Sequence, residues 1–417
     1  MLSSIREVFE SFGYVPIETP ALEYTEILLG KGSEETDKQL YRFRDQGDRD
    51  IALRFDLTVP LARFAAMYAH DLGLPFRRYH IAPVWRAEKP QRGRYREFTQ
   101  CDFDIIGSRS PLADAEIVAL INSVFCKLGI SHRIRINHRA VLNGFLEKIS
   151  AQNKATSVLR AIDKLEKLGK EIVSEELTRD AELDSSQIEQ VFEFLKLSDD
   201  TKSTEQVLQD AEELCAGNEL AKRGIGDLRA ITQALSEGGA EKQSLVVDLS
   251  IARGLDYYTG VVFETQVLDL PDIGSVCSGG RYDNLAGLYS KRDLPGVGAS
   301  VGLDRTLAAL EELGRIAAKG STAQAMICLL DPGTEAALIG LAHNLRNAGL
   351  SVEVFPEFTK LGNQLKYADK KLISYAIIAG RDEVSKRTCS IKKLSTGEQT
   401  DSIPFDELAL QLKSKLA

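Results

Sequence analysis

The stretch FTQCDFDII at residues 98–106 alternates with a period of two, and that rhythm fits only an extended strand. Phe98, Gln100, Asp102 and Asp104 fall on one face; Thr99, Cys101, Phe103 and Ile105 fall on the other. The second face reads as core. The first places an aromatic ring and three polar groups on a strand whose opposite side is buried. That is costly unless a ligand or partner satisfies them, and a solvated sheet face is the plain alternative. Pro90 and Gly93 mark a loop ahead of this strand, between two extended arms. Residues 76 to 96 hold seven Lys or Arg against one Glu, in a chain whose net charge is −9. A local +6 in an acidic chain is a patch that points to phosphate.

Two further segments carry chemistry. Residues 253–264 read RGLDYYTGVVFE, with the apolar run LVVDL at 245–249 before them. The pattern suggests a strand, a tight turn at Gly254 and a second strand. Arg253 can clamp an anion there, and Tyr257 and Tyr258 can box a flat polar ligand. The alternative is a hairpin in which Arg253 and Asp256 pair while the tyrosines pack. Residues 296–305, GVGASVGLDR, open a helix with apolar residues at Leu307, Leu310 and Leu313. Small residues let a helix start press against a sheet, and Arg305 projects from its first turn; packing alone explains such a junction equally well.

Together the three segments resemble the signature motifs of class II aminoacyl-tRNA synthetases. RGLDYY at 253–258 is similar to the histidine-specific motif of the histidyl-tRNA synthetase family, and GGRYDN at 279–284 matches a further element. The resemblance runs from about residue 5 to the C-terminus. It implies an α/β chain with an α+β catalytic core: an antiparallel sheet flanked by helices, a helical insertion, and a C-terminal α/β anticodon-binding domain. The implied divisions are 1–147 and 241–318 for the core, 148–240 for the insertion and 322–417 for the last domain.

The resemblance also implies a reaction. Histidine and ATP give histidyl-adenylate and pyrophosphate, and the histidyl group then passes to the 3′ end of tRNA(His). Arg86 and Arg253 are the implied catalytic cations. Arg86, Glu88, Arg94, Phe98 and Arg305 are implied for ATP, with Mg²⁺ accompanying the nucleotide and no dedicated protein cage for the metal. Asp56, Leu57, Thr58, Arg86, Gln100, Asp104, Arg253, Tyr257, Tyr258 and Tyr282 are implied for histidine, Asp104 accepting from the imidazole. Lys89 and Gln91 are implied as tRNA contacts, and a homodimer as the assembly. In one respect the chain departs from the family pattern: it opens at its first helix, where relatives begin some residues earlier, which puts dimer stability and activity in question. The regulatory subunit of ATP phosphoribosyltransferase, a binding protein, shares the core pattern. It lacks the anticodon domain and degrades the RGLDYY string.

Composition sets outer bounds. A chain of 417 residues suggests two or three domains. No apolar run reaches membrane-spanning length, and the N-terminus lacks a signal-peptide pattern. Six cysteines and five histidines are scattered, which argues against a disulfide framework or a His/Cys metal site and fits a reducing cytoplasm. Ser4 and Glu7 read as a capping box for a first helix with apolar positions Ile5, Val8, Phe9 and Phe12. Thr58 and Pro60 read as the cap and first turn of another. Residues 151 to 240 hold 19 acids and 11 bases at helical spacing. From 324 onward apolar runs alternate with amphipathic stretches, predicting a mostly parallel α/β sheet, and residues 360 to 393 form a second +6 patch.

Overall fold

The chain's computed structural model describes residues 1–29, 37–90, 93–198, 201–237, 244–251, 257–316 and 320–416. It divides into two units, Met1–Arg315 and Ile316–Ala417. The first unit's strands are β1 (Val15–Pro16), β2 (Leu22–Tyr24), β3 (Arg42–Arg44), β4 (Asp50–Leu53), β5 (Phe76–Trp85), β6 (Glu97–Ile106), β7 (His132–His138), β8 (Leu245–Val247), β9 (Val261–Val267), β10 (Cys277–Arg281) and β11 (Gly296–Gly302).

Eight of these form one sheet in the order β1-β5-β6-β11-β10-β9-β7-β8. The alternating segment is β6, paired antiparallel with β5 from Phe76 opposite Ile106 to Trp85 opposite Glu97. Every other pairing inside the sheet is antiparallel, and only the two edges, β1 on β5 and β8 on β7, run parallel. A separate three-stranded sheet, β2-β4-β3, leads into the helix Thr58–Tyr68.

One face of the large sheet packs on helices. The helix Pro111–Lys127 starts where Ser110 accepts from the Leu112 amide and Pro111 supplies a preset φ. It buries Ile117, Ile121 and Phe125 against Cys101, Phe103 and Ile105 of β6 in one core. The helix Leu2–Ser11 adds Ile5 and Phe9, and the Phe9 ring lies 5.0 Å from that of Phe103. No capping box forms there. The helix begins at Leu2 with Met1 at its cap position, so Ser4 and Glu7 lie inside its first turns.

Among the described residues, the stretch 148–240 is helical: Ala155–Ile162, Leu165–Arg179 with a break at Gly169, Ser185–Leu195, Thr204–Leu214 and Glu219–Glu237. Capping boxes start two of them, Asp184 with Gln187 and Ser203 with Gln206. Their apolar faces, including Val173, Phe194 and Ile231, join the same core as the sheet. Phe194 stacks on Phe145 at 4.5 Å. Close approach of the helix Glu219–Glu237 to Arg139–Lys148 needs Gly144, where an added Cβ would come within 2.7 Å of the Ala221 amide nitrogen.

Strand pairing differs from the pattern in two places. The runs before and after RGLDYY are β8 and β9, but they are not partners: β7 lies between them, parallel to one and antiparallel to the other. Periodicity gives each strand and is blind to which neighbour it takes. The second unit is also less parallel than the pattern suggests. Its strands β12 (Ala325–Ile327), β13 (Val352–Val354), β14 (Tyr375–Ile378), β15 (Thr388–Lys393) and β16 (Gln399–Pro404) lie in the order β13-β12-β14-β15-β16. Only β12, β13 and β14 run parallel; β15 and β16 form an antiparallel hairpin on their edge. Half of that hairpin lies in the basic stretch, whose charges obscured its alternation. Apolar cores on both faces of this sheet, around Ile327 and Leu338 on one side and Met326 and Ala368 on the other, hold the unit together.

Phe103 ties β6 to both flanking helices. Phe103→Ala should cost about 3–5 kcal/mol in urea unfolding, because the ring is wholly buried and the space cannot refill.

Candidate active site

The opposite face of β6 is polar and buried. Asp102 and Asp104 are each 2% exposed and Gln100 is 9% exposed. Register explains their neighbours. Asp104 lies between Arg78 of β5 and Gly298 of β11, and Asp102 between His80 and Ser300. The Arg78 Nη2 meets Asp104 Oδ2 at 2.7 Å and donates to the Leu57 carbonyl at 3.2 Å. The Tyr282 hydroxyl donates to the other oxygen, Asp104 Oδ1. Both oxygens of Asp104 are therefore engaged within the protein, so its first task is to hold Tyr282 in place.

Backbone makes this arrangement possible. A Cβ on Gly298 would stand 2.1 Å from Asp104 Oδ1, and one on Gly296 would stand 2.3 Å from Tyr282 Cε2. The glycines of the GVGASVG string thus leave the space that the carboxylate and phenol fill. Helix packing, the reading sequence offered, is a smaller part of their role. Gly280 likewise admits the Tyr258 ring, whose Cδ1 would lie 2.8 Å from an added Cβ.

A wall of tyrosines faces this floor. Tyr257 meets Tyr258 edge-on at 4.9 Å and Tyr282 at 6.0 Å. The Tyr257 hydroxyl donates to Asp56 Oδ2 at 3.2 Å, and the Val59 amide donates to Asp56 Oδ1 at 3.1 Å. Asp56 therefore satisfies the start of the helix Thr58–Tyr68, the task first assigned to Thr58, and Leu57 occupies the cap position. Burial pushes the Asp56 carboxyl up to about 6, against the Val59 amide and the Arg86 charge. Burial also pushes Asp102 up to about 7, with Arg78 opposing and Asp104 adding, and it raises Asp104. His80 is driven down to about 3 by burial and by the charges of Arg78 and Arg54.

The cations sort into two groups. Arg77 and Arg78 are consumed inside the fold, the first by Glu116 at 2.7 Å and the second by Asp104. They swell the +6 patch without serving a ligand's phosphate. Arg86 is placed at the mouth: its Nε donates to the Phe55 carbonyl at 3.0 Å and its guanidinium lies 5.2 Å from the Phe98 ring centre. Glu88 takes the Arg94 Nε in an ion pair. Arg305 donates to the Ser275 carbonyl at 2.5 Å, beside Gly93 of the hairpin loop. Lys89 is exposed. Arg253 and Gln91 lie outside the described residues. Arg78, His80 and Ser300 escaped notice as members of the site; the signal was their alignment with Asp104 and Asp102, which requires knowing which strands pair. Among the described residues no group of His, Cys, Asp or Glu could hold a metal ion, and no helix is long and apolar enough to cross a membrane.

A predominantly antiparallel sheet with a charged hairpin, a buried polar floor and a Gly-rich strand running into an Arg-bearing helix is the architecture of a class II aminoacyl-tRNA synthetase core. Family models agree: a histidyl-tRNA synthetase model matches residues 1–306, and an anticodon-binding-domain model matches residues 324–415. The chain is 52% identical over 402 residues to a histidine–tRNA ligase of Rhodopirellula baltica, covering 96% of this chain and 90% of that one. It is 46% identical to the one from Helicobacter hepaticus, over 97% of this chain and 92% of the relative. The solved histidyl-tRNA synthetase from Nostoc superposes with a TM-score of 0.85 at 34% identity, covering 99% and 94% of the two chains. A Bacillus halodurans structure, titled an ATP phosphoribosyltransferase regulatory subunit/histidyl-tRNA synthetase, gives 0.71 at 25% identity over 88% of this chain and 90% of that one. The chain belongs to the histidyl-tRNA synthetase family.

His80 gives the site a pH signature. Its folded pKa of about 3 lies below the ordinary 6.5, so its contribution to stability is present above pH 6.5 and is lost as pH falls towards 3. Wild type should therefore lose stability relative to His80→Gln between pH 6.5 and 4, by up to about 1.4 kcal/mol per pH unit in urea unfolding.

Proposed function

We propose that the chain is a histidine–tRNA ligase and that the polar floor of β6 with its tyrosine wall is the histidine pocket. The observation that carries this is the buried set Arg78, Asp104 and Tyr282 beside Asp56 and Gln100: it supplies paired polar partners of the kind an imidazole and an α-ammonium demand. Tyr282, held by Asp104, meets the imidazole together with Tyr258. Asp56, Thr58 and Gln100 take the α-ammonium, and Leu57, wholly buried at the helix cap between the first two, belongs to the same binding segment. A site built from such partners rejects ligands that lack them by roughly 10⁴- to 10⁵-fold.

Activation joins a histidine carboxylate oxygen to the α-phosphorus of ATP while the bond to pyrophosphate breaks. The 3′-terminal ribose hydroxyl then attacks the acyl carbon, AMP leaves, and the hydroxyl's proton is released. Negative charge grows at phosphorus in the first step and at the carbonyl oxygen in the second, so positioned cations lower both barriers. Arg86 is placed for the α-phosphate and the carboxylate, with Arg253 as its counterpart. Adenine stacks on Phe98 with Arg305 on its other face. Glu88 orients the nucleotide, and Arg94 serves the outgoing phosphates once released from Glu88. Mg²⁺ travels with ATP and keeps mostly water ligands.

Lys89 and Gln91 are proposed as acceptor-stem contacts, the second unit as the reader of the anticodon, and a cytoplasmic homodimer as the working form. On this reading the core is 1–147 and 241–318, interrupted by the helical insertion 148–240, and residues 322–417 are the anticodon-binding domain. The regulatory-subunit reading is not favoured, since RGLDYY and the second unit are both present.

Purified protein should exchange labelled pyrophosphate into ATP with histidine and with none of the other nineteen amino acids, without tRNA. Exchange driven by another amino acid, or by none, refutes the assignment. Removing residues 324–417 should leave that exchange nearly intact while lowering charging of tRNA through a higher KM and a flatter salt dependence. Sedimentation of the truncated protein separates this from loss of a dimer.

A further inference from the structure

We propose that Asp102 is a further histidine-binding residue, the acceptor that makes this pocket demand a ligand carrying an α-ammonium group. The inference rests on the reading of the pocket as the histidine site.

Three carboxyls line the floor; two have both oxygens engaged, whereas Asp102 is held on one side only, by the Ser300 hydroxyl. Asp104 is held by Arg78 and Tyr282; Asp56 is held by the Val59 amide and Tyr257. Asp102 lies on the same face of β6 as Gln100 and Asp104, between His80 and Ser300. Its Oδ1 is buried and accepts no hydrogen bond. The Gln100 Oε1 is in the same condition, because the amide is fixed the other way round, its Nε2 donating to Ser300 Oγ at 2.9 Å. Two buried acceptors two residues apart on one strand face thus lack donors, which is costly unless a ligand supplies them.

Among the described residues nothing in the protein donates to either atom. His80, directly opposite Asp102 across β5 and β6, is held neutral by burial and by Arg78 and Arg54, so it brings no positive charge to the carboxylate. Arg78, the one wholly buried guanidinium of the floor among the described residues, serves Asp104 through Nη2, and its Nε and Nη1 donate to no acceptor, Asp102 Oδ1 included. Burial holds Asp102 near 7, so a cation arriving beside it draws out the charged form. The two ends of histidine differ in what they offer. A neutral imidazole has one N–H and one lone pair, and the Tyr282–Asp104 pair meets it. An ammonium has three N–H groups and a full charge, and it matches Asp102 Oδ1, Gln100 Oε1 and Asp56.

The test compares two small ligands by titration calorimetry on the full chain. L-Histidinol keeps the ammonium and the imidazole and lacks the carboxylate; imidazole-4-propionate keeps the carboxylate and the imidazole and lacks the ammonium. Asp102→Asn should weaken histidinol about tenfold to a hundredfold and leave imidazole-4-propionate unchanged or bound more tightly. Asp102→Glu should recover part of the histidinol affinity. A structural role for Asp102 would weaken both ligands alike, and that result, or no change in either, overturns the proposal. If Asp102→Asn melts far below wild type, Asp102→Ser is titrated in its place against the same criterion. Wild type that fails to bind histidinol refutes the reading of the pocket itself, whereas wild type that binds it beside an unaffected Asp102→Asn refutes the role of Asp102 alone.

Discussion

The ion pair between Arg78 and Asp104 is the constraint around which the catalytic half is arranged. Both side chains are wholly enclosed, on adjacent strands of an eight-stranded sheet, where an unpaired charge is untenable. Removing either partner leaves the other stranded, at a cost of about 3–5 kcal/mol. The pair dictates much else. It fixes the register of β5 on β6, requires glycine at 298 on the neighbouring strand, and leaves one carboxylate oxygen to orient Tyr282. It also anchors the Leu57 carbonyl, and so the start of the helix that carries Asp56 at its mouth. A buried pair of this kind is weak as a source of stability. Here it links three strands and one helix through named contacts: Asp104 of β6, Arg78 of β5, Gly298 of β11 and the Leu57 carbonyl.

Much of this was legible from residue order. The period-two alternation of residues 98–106 gives the central strand and the correct polar face, and the loop marked by Pro90 and Gly93 gives its hairpin partner. The apolar periodicity of the first helix survives even though its cap was misplaced, since burial of Ile5, Val8 and Phe9 depends on spacing and not on where the helix begins. Pairing was the hidden part. Nothing in the runs around RGLDYY says that a strand from more than a hundred residues earlier lies between them. The same blindness concealed Arg78 and His80, which read as ordinary members of a basic patch until β5 is laid against β6.

The glycines of β10 and β11 show how a short string can carry two meanings. Small residues before a helix are commonly read as packing devices. Here the positions matter for what stands above them: Asp104, Tyr282 and Tyr258 each occupy room that a methyl group would take. The Gly-rich string, the GGRYDN string and the polar strand, which look like separate motifs in the chain, are one layer in space.

That layer has an evolutionary consequence. The depth of the floor is defined by missing atoms, so single nucleotide changes that turn Gly298 or Gly296 into alanine or serine would raise it by one or two atoms and push Asp104 or Tyr282 aside. A lineage could drift towards a shallower, differently tuned recess by one such change followed by compensation. Drift towards a deeper one is closed, because nothing smaller than hydrogen remains to be removed. Adaptation to a bulkier ligand would have to come from the tyrosine wall, where there are side chains left to shorten.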